Sequence, residues 1–318
     1  MPILDKDQSV DPTVLNNPAK GWRRMIRIDT VGASVNYVIQ QTMALLPDKL
    51  VYAEGDSWFD KFTPIPEQGT NLLSVLKLPV FAGIVDVSHI GDTSQAMVTG
   101  QQRRQTQAMF NLFDFDAILL SAGGNDLKNL FASLFHDVGE QRAGRPVTSS
   151  LVHLQDLQQA HIVDEHFDTV ESSIRSFIGL RDASARQRTR EAPLLMHGYD
   201  YLQPRPAPAL VFAGSTLGAG PWIYPSLQHA GLTDRQMLDT AVEVVDKLNE
   251  RLRSIVASLP AGANVWVLDQ RGLLTLAAPG SSSESGDWKD EIHASAAGYQ
   301  KLARQRWNPW LARSLGLV

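Results

Sequence analysis

The chain contains no cysteine among its 318 residues. That absence removes disulfides, thiolate zinc sites, iron–sulfur ligation and a cysteine nucleophile together. It has no excess of basic residues either: Lys and Arg number 29 against 34 Asp and Glu, for a formal net charge of -5. A chain so balanced cannot neutralise a phosphate backbone, so no nucleic-acid partner is expected. No apolar run approaches the roughly 20 residues a membrane-spanning helix requires, and the opening MPILDKDQSVDP has no apolar centre of a secretory signal. A cytoplasmic address is therefore the default expectation, with non-classical export left open. There is no GxSxG elbow, no Walker A loop and no GxGxxG fingerprint, which sets aside the usual α/β-hydrolase, NTPase and dinucleotide readings.

What is present is an average globular composition, 43% apolar and 20% charged. Five β-branched, apolar runs alternate with helical stretches: Leu50–Tyr52, Val80–Val87, Ala117–Ser121, Leu194–Tyr199 and Val265–Leu268. Their near-continuous hydrophobicity fits strands buried on both faces, and the alternation fits a parallel sheet. Helices are expected over Thr93–Phe113, Asp234–Leu259 and Ala296–Leu315, the second capped by Thr233 with Gln236 three residues on. Leu127–Ala192 reads as a helical insertion between the third and fourth strands, and Gln203–Pro225 as a long ordered loop.

Four segments fall at carboxyl ends of these strands, where open α/β sheets bind ligands. Glu54-Gly55-Asp56-Ser57-Trp58 follows the first strand and offers a hydroxyl; alone it equally reads as a turn capping a helix. Ser88-His89-Ile90-Gly91-Asp92-Thr93 ends the second and offers either a backbone donor at Gly91 or a tight turn. Ser121-Ala122-Gly123-Gly124-Asn125-Asp126 ends the third; Asn125 can donate its amide to an oxyanion or cap the next helix. Asp290-Glu291-Ile292-His293 follows the fifth. Three apart within one helical turn, the Asp290 carboxylate can accept from the His293 imidazole and leave Nε2 free as a base.

Together the four blocks resemble the SGNH (GDSL) hydrolase superfamily. The resemblance implies a single three-layer α/β/α domain over 1–318 with a flavodoxin-like, five-stranded parallel sheet. The insertion 127–192 has no counterpart in the smallest members, and a lid is one role open to it. The resemblance implies Ser57 as nucleophile, His293 as general base and Asp290 as its orienting carboxylate. The Ser57 and Gly91 N–H groups and the Asn125 amide would form an oxyanion hole, with Asp56 in the motif but outside the triad. The implied activity is hydrolysis of carboxylic esters on a small-molecule, lipid or glycan substrate, without cofactor or metal. Acyl transfer, thioester hydrolysis, or a non-catalytic binding module on the same fold are the alternatives.

Trp58, Phe131, Phe135 and His197 are the candidate substrate-contacting residues. Leu127, Leu130, Phe131, Leu134 and Phe135 recur at helical spacing beside Asn125, a stripe that either packs on its own domain or lines an acyl pocket. His197 is the rival base, with a core or turn role otherwise. Asp164, Glu165, His166 and Asp168 read as a solvated face rather than a metal site, and Arg181, Arg186, Arg188 and Arg190 as a solvated basic surface.

Overall fold

The computed structural model describes residues 3–4, 21–30, 34–60, 71–131, 160–209 and 220–318. Nine strands are present among them: β1 (Ile3–Leu4), β2 (Arg23–Arg24), β3 (Ile26–Asp29), β4 (Lys49–Gly55), β5 (Lys77–Leu78), β6 (Ala82–Asp86), β7 (Ala117–Ser121), β8 (Leu194–His197) and β9 (Val265–Leu268). The main sheet has seven strands in the order β1-β9-β8-β7-β4-β6-β3, all paired parallel. β2 and β5 form a separate antiparallel ribbon.

Within the large sheet the five expected strands stand in the order 2-1-3-4-5, the flavodoxin-like order. β4, β6, β7 and β8 are buried along almost their whole length, and helices cover both sides of the sheet. The sheet is wider than the expected five strands because β1 and β3 extend its two edges. β1 is two residues long, and β3 alternates apolar with charged residues as Ile-Arg-Ile-Asp, so neither carries the long apolar signature of a central strand.

The helices follow the sequence pattern with informative breaks. They are α1 (Val35–Leu45), α2 (Ser94–Met97), α3 (Gly100–Leu112), α4 (Ala160–Asp182), α5 (Gln187–Glu191), α6 (Tyr224–His229), α7 (Asp234–Ser258), α8 (Ala296–Leu302) and α9 (Asn308–Ser314), besides a helical segment over 124–131. The Thr233–Gln236 capping box opens α7, which buries Met237, Ala241, Val244, Val245, Leu248, Leu252 and Ile255. The expected helix Thr93–Phe113 is two helices, α2 and α3, interrupted at Val98-Thr99. A π-helical turn, Ala303–Trp307, joins α8 to α9. Pro309 has no N–H for the Gln305 carbonyl, which accepts from Arg306 Nη1 at 3.4 Å instead.

The basic cluster 181–190 is not uniformly a solvated face. Arg181 is buried, and its guanidinium donates to the carbonyls of Ala192 (3.2 Å), Asn264 (3.1 Å) and Ala263 (2.7 Å). It thereby ties α4 to the chain entering β8 and β9. Arg188 is half exposed and pairs with Asp116 at 2.6 Å.

Candidate active site

β4 delivers Gly55-Asp56-Ser57 to the crevice where the strand order reverses, between β4 and β7. Asp56 is fully buried and shapes the turn. Its Oδ1 accepts from the Trp58 N–H (3.0 Å) and the Ser121 hydroxyl (2.9 Å), and its Oδ2 from the Tyr199 hydroxyl (2.5 Å). Burial pushes its carboxyl up to about 6, against the opposing pull of those donors. All its acceptor capacity faces inward, so Asp56 holds the turn and leaves Ser57 at the surface of the crevice.

Ser57 Oγ lies 2.7 Å from His293 Nε2. On the far side of the imidazole, Nδ1 is 2.9 Å from both Asp290 carboxylate oxygens. Asp290 Oδ1 also accepts the backbone N–H groups of Ile292 (2.9 Å) and His293 (2.8 Å). The aspartate and histidine sit not in a helical turn, as their spacing suggested, but in a bent loop pinched by the Trp288–Ala294 bridge and by Lys289 N–H donating to the His293 carbonyl at 2.9 Å. An aspartate in a tight loop can accept backbone N–H groups two and three residues on, which fixes it as firmly as a helix would.

The two remaining blocks converge on the same edge. Asn125 Nδ2 donates to the Asp92 carbonyl at 3.0 Å, and Asp126 accepts from Ser94 N–H (2.9 Å) and Oγ (3.0 Å), so the second and third loops are directly joined. Gly91 has φ +89, a left-handed conformation that side chains rarely adopt. Among the described residues the N–H groups of Ser57 and Gly91 find no acceptor, which leaves both free for a ligand oxygen. All four sequence blocks of the SGNH resemblance therefore meet at one end of the sheet.

A second serine–histidine contact lies beneath the first. Ser121 Oγ is 2.9 Å from His197 Nε2, and both residues are buried. The proton order follows from Trp307, whose indole can only donate: its Nε1–H goes to Gln270 Oε1 at 3.1 Å. The amide nitrogen of Gln270 then faces His197 Nδ1 at 3.0 Å, with the Gly198 carbonyl at 3.0 Å from the same atom; the ionised Asp56 carboxylate, which can only accept the Ser121 proton, decides for the ring proton on Nε2. His197 thus donates to Ser121, which donates to Asp56. A histidine that donates to a serine cannot be its base, and the nearby aspartate orients the serine, not the imidazole. Burial also drives His197 down to about 4, so it stays neutral.

Three of the expected substrate contacts are corrected by burial. His197 is 1% exposed and belongs to the relay just described. Trp58 is wholly buried, with its ring against His197, Tyr199 and Tyr299 and its Nε1–H donating to the Ile292 carbonyl at 3.2 Å. Phe131 is wholly buried in the core together with Leu127 and Leu130. The described part of the stripe, Leu127, Leu130 and Phe131, therefore packs on its own domain. Phe135 and the rest of 132–159 lie outside the described residues.

Residues that the spacing did not single out complete the site. The Glu291 carboxylate accepts N–H groups from Trp222, Ile223 (3.0 Å) and Tyr224 (2.5 Å), and its backbone carbonyl accepts from Gln203 N–H at 2.8 Å. Burial pushes its carboxyl up to about 7. Trp222 is thereby placed with its ring centroid 6.0 Å from that of His293. Elsewhere, donor atoms of Glu54, His89 and Asp92 lie within 4.8 Å of one another, an oxygen and nitrogen set compatible with a divalent cation. Internal partners already serve two of them: Glu54 accepts from Gly55 N–H at 3.0 Å, and Asp92 accepts from Gln102.

No family model and no curated protein matches the sequence. Matches among solved structures include a carbohydrate acetylesterase family member from Sinorhizobium meliloti, with TM-score 0.45, 15% identity and coverage of 85% of this chain and 100% of that one. An extracellular lipase from Streptomyces rimosus matches with TM-score 0.47, 13% identity and coverage of 84% and 99%. A carbohydrate esterase family 3 protein from Talaromyces cellulolyticus matches with TM-score 0.43, 12% identity and coverage of 85% and 99%.

Proposed function

We propose that the chain is an SGNH-type serine esterase acting on carboxylic esters. One observation carries this reading: Ser57 Oγ stands 2.7 Å from His293 Nε2 while Asp290 holds Nδ1 at 2.9 Å from both its oxygens. Asp290 has no donor of its own when ionised, so it fixes the proton on Nδ1 and leaves the Nε2 lone pair to Ser57.

The chemistry follows from that tautomer. Ser57 Oγ bonds to the ester carbonyl carbon as its proton passes to His293 Nε2, and the carbonyl oxygen becomes an oxyanion. The N–H groups of Ser57 and Gly91 and the second N–H of Asn125 Nδ2 are the donors for it. The carbon–oxygen bond to the alcohol then breaks, and the imidazolium returns its proton to the leaving alkoxide. Water next gives a proton to His293 and attacks the acyl-enzyme, and collapse releases the acid and restores the Ser57 hydroxyl.

The test is hydrolysis of 4-nitrophenyl acetate by the folded protein, with a fluorophosphonate label mapped by peptide mass. Turnover with the label on Ser57 is expected. A folded protein that neither hydrolyses the ester nor takes the label is a binding module.

A further inference from the structure

The segment 124–131 carries Lys128 three residues after Asn125, so the two side chains share one face of that helix. Lys128 Nζ lies over the Trp222 ring, 5.9 Å from its centroid, and the same ring is 6.0 Å from that of His293 at 72° between planes. The Trp222 ring therefore links a cation on one side to the imidazole beside Ser57 on the other. The indole is held from behind: a Cβ on Gly220 would come 3.0 Å from the Trp222 ring, and Glu291 fixes the Trp222 N–H.

Lys128 is half-buried, and among the described residues no carboxylate forms an ion pair with it. Burial lowers its affinity for a proton, with only Asp56 pulling the other way. The Asp56 carboxylate, however, is already occupied by Trp58, Ser121 and Tyr199. Holding a partly desolvated cation without a partner costs free energy. In a chain of net charge -5 carboxylates are plentiful, and the half-buried cations Arg251, Arg253, Arg271 and Lys301 each pair with one. A neutral ester would offer this ammonium a hydrogen-bond acceptor but no charge.

We propose that Lys128 and Trp222 form an anion-recognising subsite, so that the ester taken by the site carries a carboxylate, phosphate or sulfate on a short arm beside the scissile bond. The inference rests on the esterase reading above. Trp222 covers the apolar arm of the substrate, and Lys128 meets the charge at its end. In the absence of substrate the indole face partly satisfies the ammonium, which keeps it in place.

Two pairs of probes decide it, each pairing a carboxylate with its methyl ester, so that the change in ratio between wild type and variant cancels their intrinsic reactivities. 4-Nitrophenyl hemisuccinate against 4-nitrophenyl methyl succinate places the charge on the acyl side; 4-acetoxybenzoate against its methyl ester places it on the leaving alcohol. In at least one pair the anionic-to-neutral ratio of kcat/KM should fall about tenfold in Lys128→Gln, the loss of about 1.4 kcal/mol of selective binding. Lys128→Glu should lower it further and Lys128→Arg retain most of it. Added salt should erode the wild-type ratio more than that of Lys128→Gln. The responding pair identifies the charged side. Ratios equal in wild type and Lys128→Gln for both pairs, at matched melting temperature, would overturn the subsite while leaving the esterase standing. No turnover of any of the four esters would overturn the esterase reading, and the subsite with it.

Discussion

Trp58 Nε1–H donates to the backbone carbonyl of Ile292 at 3.2 Å, joining the turn that carries Ser57 to the loop that carries His293 across 234 positions of sequence. On the proposed esterase reading, a nucleophile and its base on separate loops need their separation fixed by something other than their own hydrogen bond, which must break during turnover. A buried indole does this well, because its ring is gripped by His197, Tyr199 and Tyr299 while its single donor faces the second loop. Asp56 and Glu291 perform the same service on either flank, one bracing the serine turn and the other bracing the histidine loop against segment 222–224.

Trp58→Phe should therefore lower kcat/KM more than it lowers stability. The phenyl ring retains most of the packing, and the lost bond is worth about 1 kcal/mol of folding. A misplacement of the base by a fraction of an ångström costs on the order of 10-fold or more in rate. Unfolding by urea and kcat/KM on one ester measure the two separately. A drop in rate no larger than the drop in stability explains would mean that the indole bond positions nothing.

The two serine–histidine contacts separate cleanly by mutation. Ser57→Ala should lose on the order of 10⁴-fold or more in kcat with its melting temperature nearly unchanged. Ser121→Ala leaves Asp56 and His197 each short of a buried partner, which should cost about 1–3 kcal/mol of stability while fluorophosphonate still labels Ser57. A label on Ser121, or an inactive but fully stable Ser121→Ala, would reverse the assignment.

His197 gives a pH signature in stability. Its imidazole stays neutral until about 4, against an ordinary value of 6.5. The unfolded chain takes up the proton first as pH falls, so the stability this group contributes is present above about 6.5 and is lost toward 4. At about 1.4 kcal/mol per pH unit this amounts to about 3 kcal/mol. Asp56 and Glu291 act oppositely: their carboxyls are raised to about 6 and about 7, so they favour the folded state at low pH and lose that contribution as pH rises through those values. His197→Gln removes only the first effect. The stability gap between wild type and this variant, measured by chemical unfolding at pH 7 and pH 4.5, should shift by about 2–3 kcal/mol against the wild type on acidification. A gap that is constant with pH would place a charged imidazole in the native core.

The site was legible where it depends on residue type and place in chain order. Ser57, Gly91, Asn125, Asp290 and His293 each follow a strand whose apolar run marks it, and parallel topology does the rest by collecting strand ends at one edge. The strand count was not legible, because β1 and β3 are edge strands without a continuous apolar run. Burial of particular side chains was hidden as well. A tryptophan beside a nucleophile reads alike whether it faces substrate or core, and only the path of segment 288–294 decides that Trp58 points inward. Arg181 looked solvated by composition, and it is buried because three strand-entry carbonyls need a donor. Trp222 and Lys128 carry no motif at all; the third dimension alone places Trp222 beside His293 and Lys128 over Trp222.

Phe131 tests whether the helical stripe beside Asn125 is core or acyl pocket. The ring is wholly buried among core residues, with Leu127 one turn before it and Leu130 next to it, both buried. Removing it should create a cavity costing about 3–5 kcal/mol, as for other buried phenylalanines. Because the helix also carries Asn125, turnover of the folded variant should fall somewhat, but equally for every acyl chain. The discriminating measurement is the ratio of kcat/KM for octanoyl and acetyl 4-nitrophenyl esters, taken well below the melting temperature of Phe131→Ala. An unchanged ratio with a clear fall in melting temperature is expected. A selective loss for the octanoyl ester would instead show that the ring borders the acyl chain, since each methylene it covers contributes about 0.8 kcal/mol.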